Sequence, residues 1–232
     1  MDIKTIELKK TILEDNDKDA DLLREQLKET KTFYVNVMSS PGSGKTTTLV
    51  STIRALQDGG GAAAANKPPL RIGVMEADID SDVDAVKIKE ATGVPSIQLH
   101  TGGMCHLDAE MTRQGLDNLN LEETDLVILE NVGNLVCPAE FDTGAHMKAV
   151  ILSVPEGDDK PLKYPLMFDE ADVVLVTKID AMEAFDFDTE KFRENLAGVN
   201  PDAPVFFLSG ATGEGVAEWA QWLREKVENY LT

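Results

Sequence analysis

Long apolar runs are missing from this chain. No stretch approaches the roughly 18 consecutive apolar residues of a membrane-spanning helix, so a spanning protein is not expected. The opening "MDIKTIELKK" has no uninterrupted apolar run either and is not expected to be a secretory signal. Basic residues are scarce, 22 Lys and Arg against 42 Asp and Glu, for a net charge of −20. That balance repels phosphate backbones and anionic lipid, so neither nucleic acid nor a membrane is an expected partner. Cysteine is scarcer still, two among 232 residues, which excludes a disulfide-stapled scaffold. Free thiols in a cytoplasmic protein are the expectation, and thiols near a histidine become candidate metal ligands.

What is present is an alternation of strand-like and helix-like segments. Residues 17–31 read as an amphipathic helix with Ala20, Leu23 and Leu27 on one face. Strands are expected at 32–39, 70–77, 96–100, 125–131, 146–154, 172–179 and 204–210. Helices are expected at 44–58, 81–92, 107–119, 189–199 and 214–231, the last with Val216, Trp219, Leu223, Val227 and Tyr230 on one stripe. "GGGAAAANKPP" (59–69) is a low-complexity loop. Such an alternation implies an α/β fold, a mostly parallel sheet with helices on both faces.

"SSPGSGKTTT" (39–48) lies between the first strand and the first helix of that alternation. This is the setting of a phosphate-binding loop, so the fold expected is the three-layer P-loop NTPase fold. Gly42 and Gly44 allow the tight turn, and Ser43, Thr47 and the neighbouring backbone N–H groups would face phosphate oxygens. Lys45 would reach the β- and γ-phosphates, and the Thr46 hydroxyl would ligate Mg²⁺. Ser39 stands where such loops usually begin with glycine.

The base is read farther along. In "LVTKIDAM" (175–182), Lys178 and Asp180 follow a strand, resembling the N-K-x-D motif of GTPases with Thr177 in place of Asn. An Asp carboxylate accepts two hydrogen bonds from guanine, whereas adenine offers no such pair of donors. "LSGATGEG" (208–215) resembles the loop that contacts guanine O6, near Ser209, Gly210 and Ala211. GTP is therefore expected over ATP. Glu130 closes the strand "DLVILE" three residues before Gly133, a D-x-x-G spacing with Glu for Asp. Glu130 would hold Mg²⁺, and the Gly133 N–H would face the γ-phosphate. In "MEADIDSD" (75–82), Asp78 is the candidate for Mg²⁺ or for orienting the attacking water, while Asp80 and Ser81 serve equally well as helix caps. No glutamine is placed to position water and no arginine finger is evident, so hydrolysis is expected to be slow.

"TGGMCHLDAE" (101–110) sets Cys105 against His106, and "ENVGNLVCPAE" places Cys137 four residues past Gly133. Thiolate and imidazole suit Ni²⁺, Zn²⁺ or copper. A buried cysteine as a small hydrophobe and a histidine as a satisfied polar group remain the plain alternative. His100 and His146 have no cysteine neighbour and are read as structural.

With "SSPGSGKTTTL", "TGGMCHLDAEM", "ENVGNLVCPAEFDTG", "SVPEGDDKPLKYPLMF", "VTKIDAM" and "ATGEGV", the chain resembles the HypB family of hydrogenase nickel incorporation proteins, GTPase metallochaperones. The resemblance implies a homodimer with nickel or zinc on Cys105, His106 and Cys137 at the subunit interface. It also implies nickel delivery to the hydrogenase large subunit, with a HypA-type nickel chaperone as partner. Residues 1–31 are then an N-terminal helical extension and 32–232 the P-loop GTPase domain. The Cys-rich nickel motif or His-rich tract of some members does not occur in these 232 residues. Competing readings are a urease-type nickel GTPase resembling UreG, a zinc-bridged structural dimer with weak GTPase activity, and a P-loop small-molecule kinase.

Overall fold

The computed structural model describes residues 8–59 and 67–232, so most of the glycine- and alanine-rich stretch expected as a loop lies outside the described residues. The described residues form a seven-stranded sheet. Its strands are β1 (Phe33–Ser39), β2 (Ile72–Asp78), β3 (Ser96–His100), β4 (Leu126–Glu130), β5 (Met147–Ser153), β6 (Val173–Thr177) and β7 (Val205–Phe207), in the order β3-β2-β4-β1-β5-β6-β7. Every neighbouring pair is parallel. The expected α/β fold with helices on both faces is what the chain adopts.

Successive side chains of a strand point to opposite faces, so β1 supplies both layers. Val35 and Val37 join the layer formed with α2 (Lys45–Gln57), α3 (Val83–Thr92) and α9 (Val216–Leu231), where Ile53, Leu56, Ile88, Trp219 and Leu223 are buried. Tyr34 faces the other way, against Leu23 and Leu27 of α1 (Leu8–Thr30) and Leu116 of α4 (Ala109–Leu116). Met38 meets Met167 and Phe168 of α7 (Pro165–Asp169) and Phe192 of α8 (Thr189–Ala197). Each of these fully buried large side chains contributes about 1.5–3 kcal/mol relative to an exposed one.

Three differences from the sequence reading have local causes. Helix α1 starts about nine residues earlier than the apolar stripe indicates, because polar Asn16 occupies an inward position there. Cys137 opens a short helix, α5 (Cys137–Glu140), where the sequence reading expects no helix. Helix α6 (Lys160–Lys163) and α7 are too short to display a helical period and carry Pro161 and Pro165 in their first turns. His146 is structural, as read: its Nδ1 accepts from the Tyr34 N–H at 3.0 Å, and its ring stacks on Phe33. Burial pushes it down to about 4.

The consequence for function is positional. Strands β1, β3, β4, β6 and β7 all end on the same edge of the sheet, and their last residues and the segments that follow them carry every candidate site residue outside β2 and α3. In open parallel α/β sheets that carboxyl edge is where ligands bind.

Candidate functional site

Chain leaving β1 turns sharply into α2. Gly42 and Gly44 sit at φ of 74° and 92°, a left-handed conformation that costs any side chain roughly 1–2 kcal/mol. Ser39 is buried and its Oγ accepts from Ser43 Oγ at 2.6 Å, so the hydroxyl that replaces the usual glycine braces the loop from below. Ser40 Oγ is hydrogen-bonded to Glu156, whose other oxygen accepts from the backbone and hydroxyl of Ser153 at 2.8 and 2.7 Å.

Behind the loop, β6 closes a second wall. The buried Thr177 hydroxyl donates to the Ser43 carbonyl at 2.7 Å, and Lys178, itself left-handed at φ 58°, donates from Nζ to the Gly42 carbonyl at 2.6 Å. Thr177 thus fastens the base-reading segment to the phosphate loop. Gly44, Thr47, Thr48, Thr177, Lys178, Asp180, Ser209, Gly210 and Ala211 line one cavity of about 230 Å³. The structure therefore brings the residues singled out for guanine to the mouth of the phosphate loop.

On the other side of the loop lie the carboxylates. Thr46 Oγ1 donates to Glu130 Oε1 at 2.8 Å. Glu130 on β4 and Glu76 on β2 are in register across the sheet, and with Asp84 of α3 they offer oxygens all within 4.8 Å of one another. Both Glu76 and Glu130 are buried, and each keeps one oxygen, Oε2, without a hydrogen-bond partner. Burial pushes Glu76 up to about 8 and Glu130 up to about 7. Orphaned, oxygen-only donors beside a threonine hydroxyl fit a hard divalent cation such as Mg²⁺.

Asp78 is not in that group. Its Oδ1 accepts from the N–H groups of Asp80 and Ser81 at 3.0 and 2.9 Å, which holds its carboxyl below the usual range. Sequence reasoning singled out Asp78 and passed over Glu76 and Asp84. The only signal available was that Glu76 is an acidic residue within an apolar strand, and its partner is set by strand order.

Gly133 leaves no room for a side chain: a Cβ there would lie 3.0 Å from the Cα and N of Pro41 in the phosphate loop. Four residues on, Cys137 reaches the third cluster. Donor atoms of Cys105, His106 and Cys137 lie within 4.8 Å of one another, with the two sulfurs 2.8 Å apart and Cys105 Sγ 3.9 Å from His106 Nδ1. Both cysteines are free thiols, each partly buried. The Cys105 sulfur, with burial, pushes the Cys137 thiol up, and burial pushes His106 down, toward the neutral imidazole that a metal requires. Phe141 stacks on the His106 ring with centroids 3.8 Å apart, and Asn134 Nδ2 donates to the Cys105 carbonyl at 3.4 Å. Two sulfurs and an imidazole nitrogen make a soft donor set that suits a transition metal.

Known proteins place this arrangement. Residues 33–207 match the family described as CobW/HypB/UreG, nucleotide-binding domain. The hydrogenase maturation factor HypB of Azotobacter vinelandii is 44% identical over 223 residues, covering 96% of this chain and 70% of that protein. This chain belongs to the HypB family. The hydrogenase/urease maturation factor HypB of Helicobacter hepaticus is 40% identical over 232 residues, 98% of this chain and 90% of that one. The crystal structure of HypB from Helicobacter pylori in complex with nickel superposes with a TM-score of 0.83 at 38% identity, covering 94% of this chain and 98% of that chain. A HypB-family chain is a nucleotide-binding domain, and the described residues contain no helix long and apolar enough to cross a membrane.

Proposed function

We propose that this HypB-family chain is a GTP-hydrolysing metallochaperone that takes nickel on Cys105, His106 and Cys137 and releases it to the hydrogenase large subunit. The observation that carries the reading is the convergence of these three donor atoms within 4.8 Å, with Cys137 at the end of a loop that also touches the phosphate loop at Gly133. From Gly133 to Cys137 the chain spans at most about 14 Å, so movement of one end is felt at the other. Zinc fits the same donors. The nickel complex of the Helicobacter pylori relative favours nickel.

GTP would sit with its base in the cavity lined by Asp180 and Ser209–Ala211. The Asp180 carboxylate would accept from guanine, and Lys178, held on the Gly42 carbonyl, would keep the base wall against the phosphate loop. Lys45 and the backbone N–H groups of 42–47 would neutralise and orient the phosphates. Thr46 and Glu130 would hold Mg²⁺, with Glu76 and Asp84 within reach; the ion would neutralise charge on the β- and γ-phosphates. Asp78, whose Oδ1 is held by the N–H groups of Asp80 and Ser81, would orient the attacking water through Oδ2. The chain would act as a cytoplasmic homodimer, receiving nickel from a HypA-type chaperone.

The test is nickel affinity measured with a non-hydrolysable GTP analogue and with GDP. The two values should differ, and the ratio of GTP-analogue to GDP affinity should change by the same factor between nickel-loaded and nickel-free protein. Equal values in both nucleotide states rule out release gated by affinity. A urease target has one observation in its favour, the hydrogenase/urease description of the Helicobacter hepaticus relative. Transfer of labelled nickel to each apo-enzyme distinguishes the two.

A further inference from the structure

The candidate metal site is assembled from two separate stretches of chain. Cys105 and His106 precede α4, while Cys137 and Phe141 lie at and just beyond α5. A single side chain from outside bonds to both. Asn16 of α1 is buried, although it is a polar residue on an inward face. Its Nδ2 donates to the carbonyl of Asp142 at 2.9 Å, and its Oδ1 accepts from the N–H of Ala109 at 2.9 Å.

Both ends of this bridge lie close to ligands. Ala109 is the first residue of α4, three positions after His106, and its N–H would otherwise be one of the helix's unpartnered donors. Asp142 directly follows Phe141, whose ring lies on His106. About two turns along α1, Arg24 repeats the grip. It donates to the Asp142 carboxylate at 2.7 Å and to the Ala145 carbonyl at 3.2 Å. An amide buried at this point costs free energy unless it is hydrogen-bonded at both ends, and an apolar residue would serve the packing of α1 against Tyr34 and Leu116 better.

We propose that Asn16 is a positioning residue for the metal site: its side-chain amide sets the separation of the 105–109 and 137–142 segments, and so the spacing of Cys105, His106 and Cys137. The inference rests on the reading of those three residues as metal ligands. Helix α1 is then part of the metal site without touching the metal. Whatever displaces α1 loosens the ligand set.

The experiment uses the full chain and Ni²⁺ alone, read by chelator competition and by the thiolate-to-nickel charge-transfer band. Four proteins are compared: wild type, Asn16→Ala, Asn16→Asp and Cys137→Ala. Loss of groups that orient metal ligands typically costs about 10–100-fold in affinity, so Asn16→Ala should bind nickel at least tenfold more weakly, with a shifted band. Its affinity for a GTP analogue should stay at the wild-type value. Asn16→Asp keeps the acceptor for Ala109 but sets a carboxylate against the Asp142 carbonyl, so it should be no tighter than Asn16→Ala. Wild-type nickel affinity in either Asn16 variant overturns the proposal, and so does nucleotide affinity that falls in step with nickel affinity. If Cys137→Ala binds nickel like wild type, the ligand assignment itself fails and the proposal falls with it. If Cys137→Ala loses nickel and Asn16→Ala does not, only the positioning role is wrong.

Discussion

Glu76 and Glu130 are two buried carboxyl groups with an unpartnered oxygen each. In an unfolded chain both ionise near 4.5, whereas burial raises them in the fold to about 8 and about 7. Between those limits the folded state binds more protons than the unfolded one, so stability falls as pH rises. The metal-free, nucleotide-free protein should therefore show its urea-unfolding midpoint dropping from about pH 5 to about pH 8. Glu76→Gln should flatten that slope, because the amide has no charge to bury. Saturating Mg²⁺ with GDP should flatten it too, by giving the ionised pair a counter-charge. A midpoint that climbs over this range in the bare protein contradicts the assignment. The same residues explain why half of the candidate cation site was hidden in the sequence. "GKT" announces Thr46 by local spacing, but Glu76 is 54 positions from Glu130 and meets it only because β2 pairs with β4 in the register Glu76 to Glu130.

The loop between β4 and α5 is the element on which the proposed coupling would depend. It leaves Glu130, presses Gly133 on Pro41 and brings Cys137 to Cys105 and His106. Gly133→Ala would force a Cβ into backbone 3.0 Å away, where neither partner is a flexible side chain. Overpacking of this kind costs about 1–3 kcal/mol. Affinity for a GTP analogue should fall roughly tenfold, and nickel affinity should lose its dependence on nucleotide. Calorimetric titration of both ligands checks this, and a variant that keeps both the affinity and the dependence removes the loop from the argument. The loop was legible as chemistry, through D-x-x-G-like spacing and the cysteine, but not as shape. A four-residue helix such as α5 completes barely one turn, so no hydrophobic period betrays it.

At the scale of the whole molecule, the exposed apolar residues gather meaning from where they lie. Met104 and Val136, 42% and 53% exposed, are the immediate neighbours of Cys105 and Cys137. An isologous contact there would bring two ligand sets to one axis. Val136→Asp should oppose it by placing like charges across that axis, so nickel-dependent dimerisation seen by light scattering should weaken while the monomer still binds a GTP analogue. Dimerisation at the wild-type nickel concentration would move the interface elsewhere. With a net charge of −20, two copies of the chain repel at long range, and a shared cation together with apolar contact would offset that.

Alternation of apolar strands with amphipathic helices was enough to determine the parallel sheet, because a strand buried on both faces and a helix buried on one must pair in layers. The phosphate loop, Lys178–Asp180 and the Cys-His pair were equally plain, since each is a short run whose chemistry depends on neighbours in sequence. Tertiary structure alone decided which distant residues meet: Glu76 with Glu130, Thr177 with Ser43, and Asn16 with both segments of the candidate metal site. The physical reason is one of range. Spacing along the chain governs turns and caps, whereas strand order and register, settled by burial of the whole core, bring together groups more than fifty residues apart.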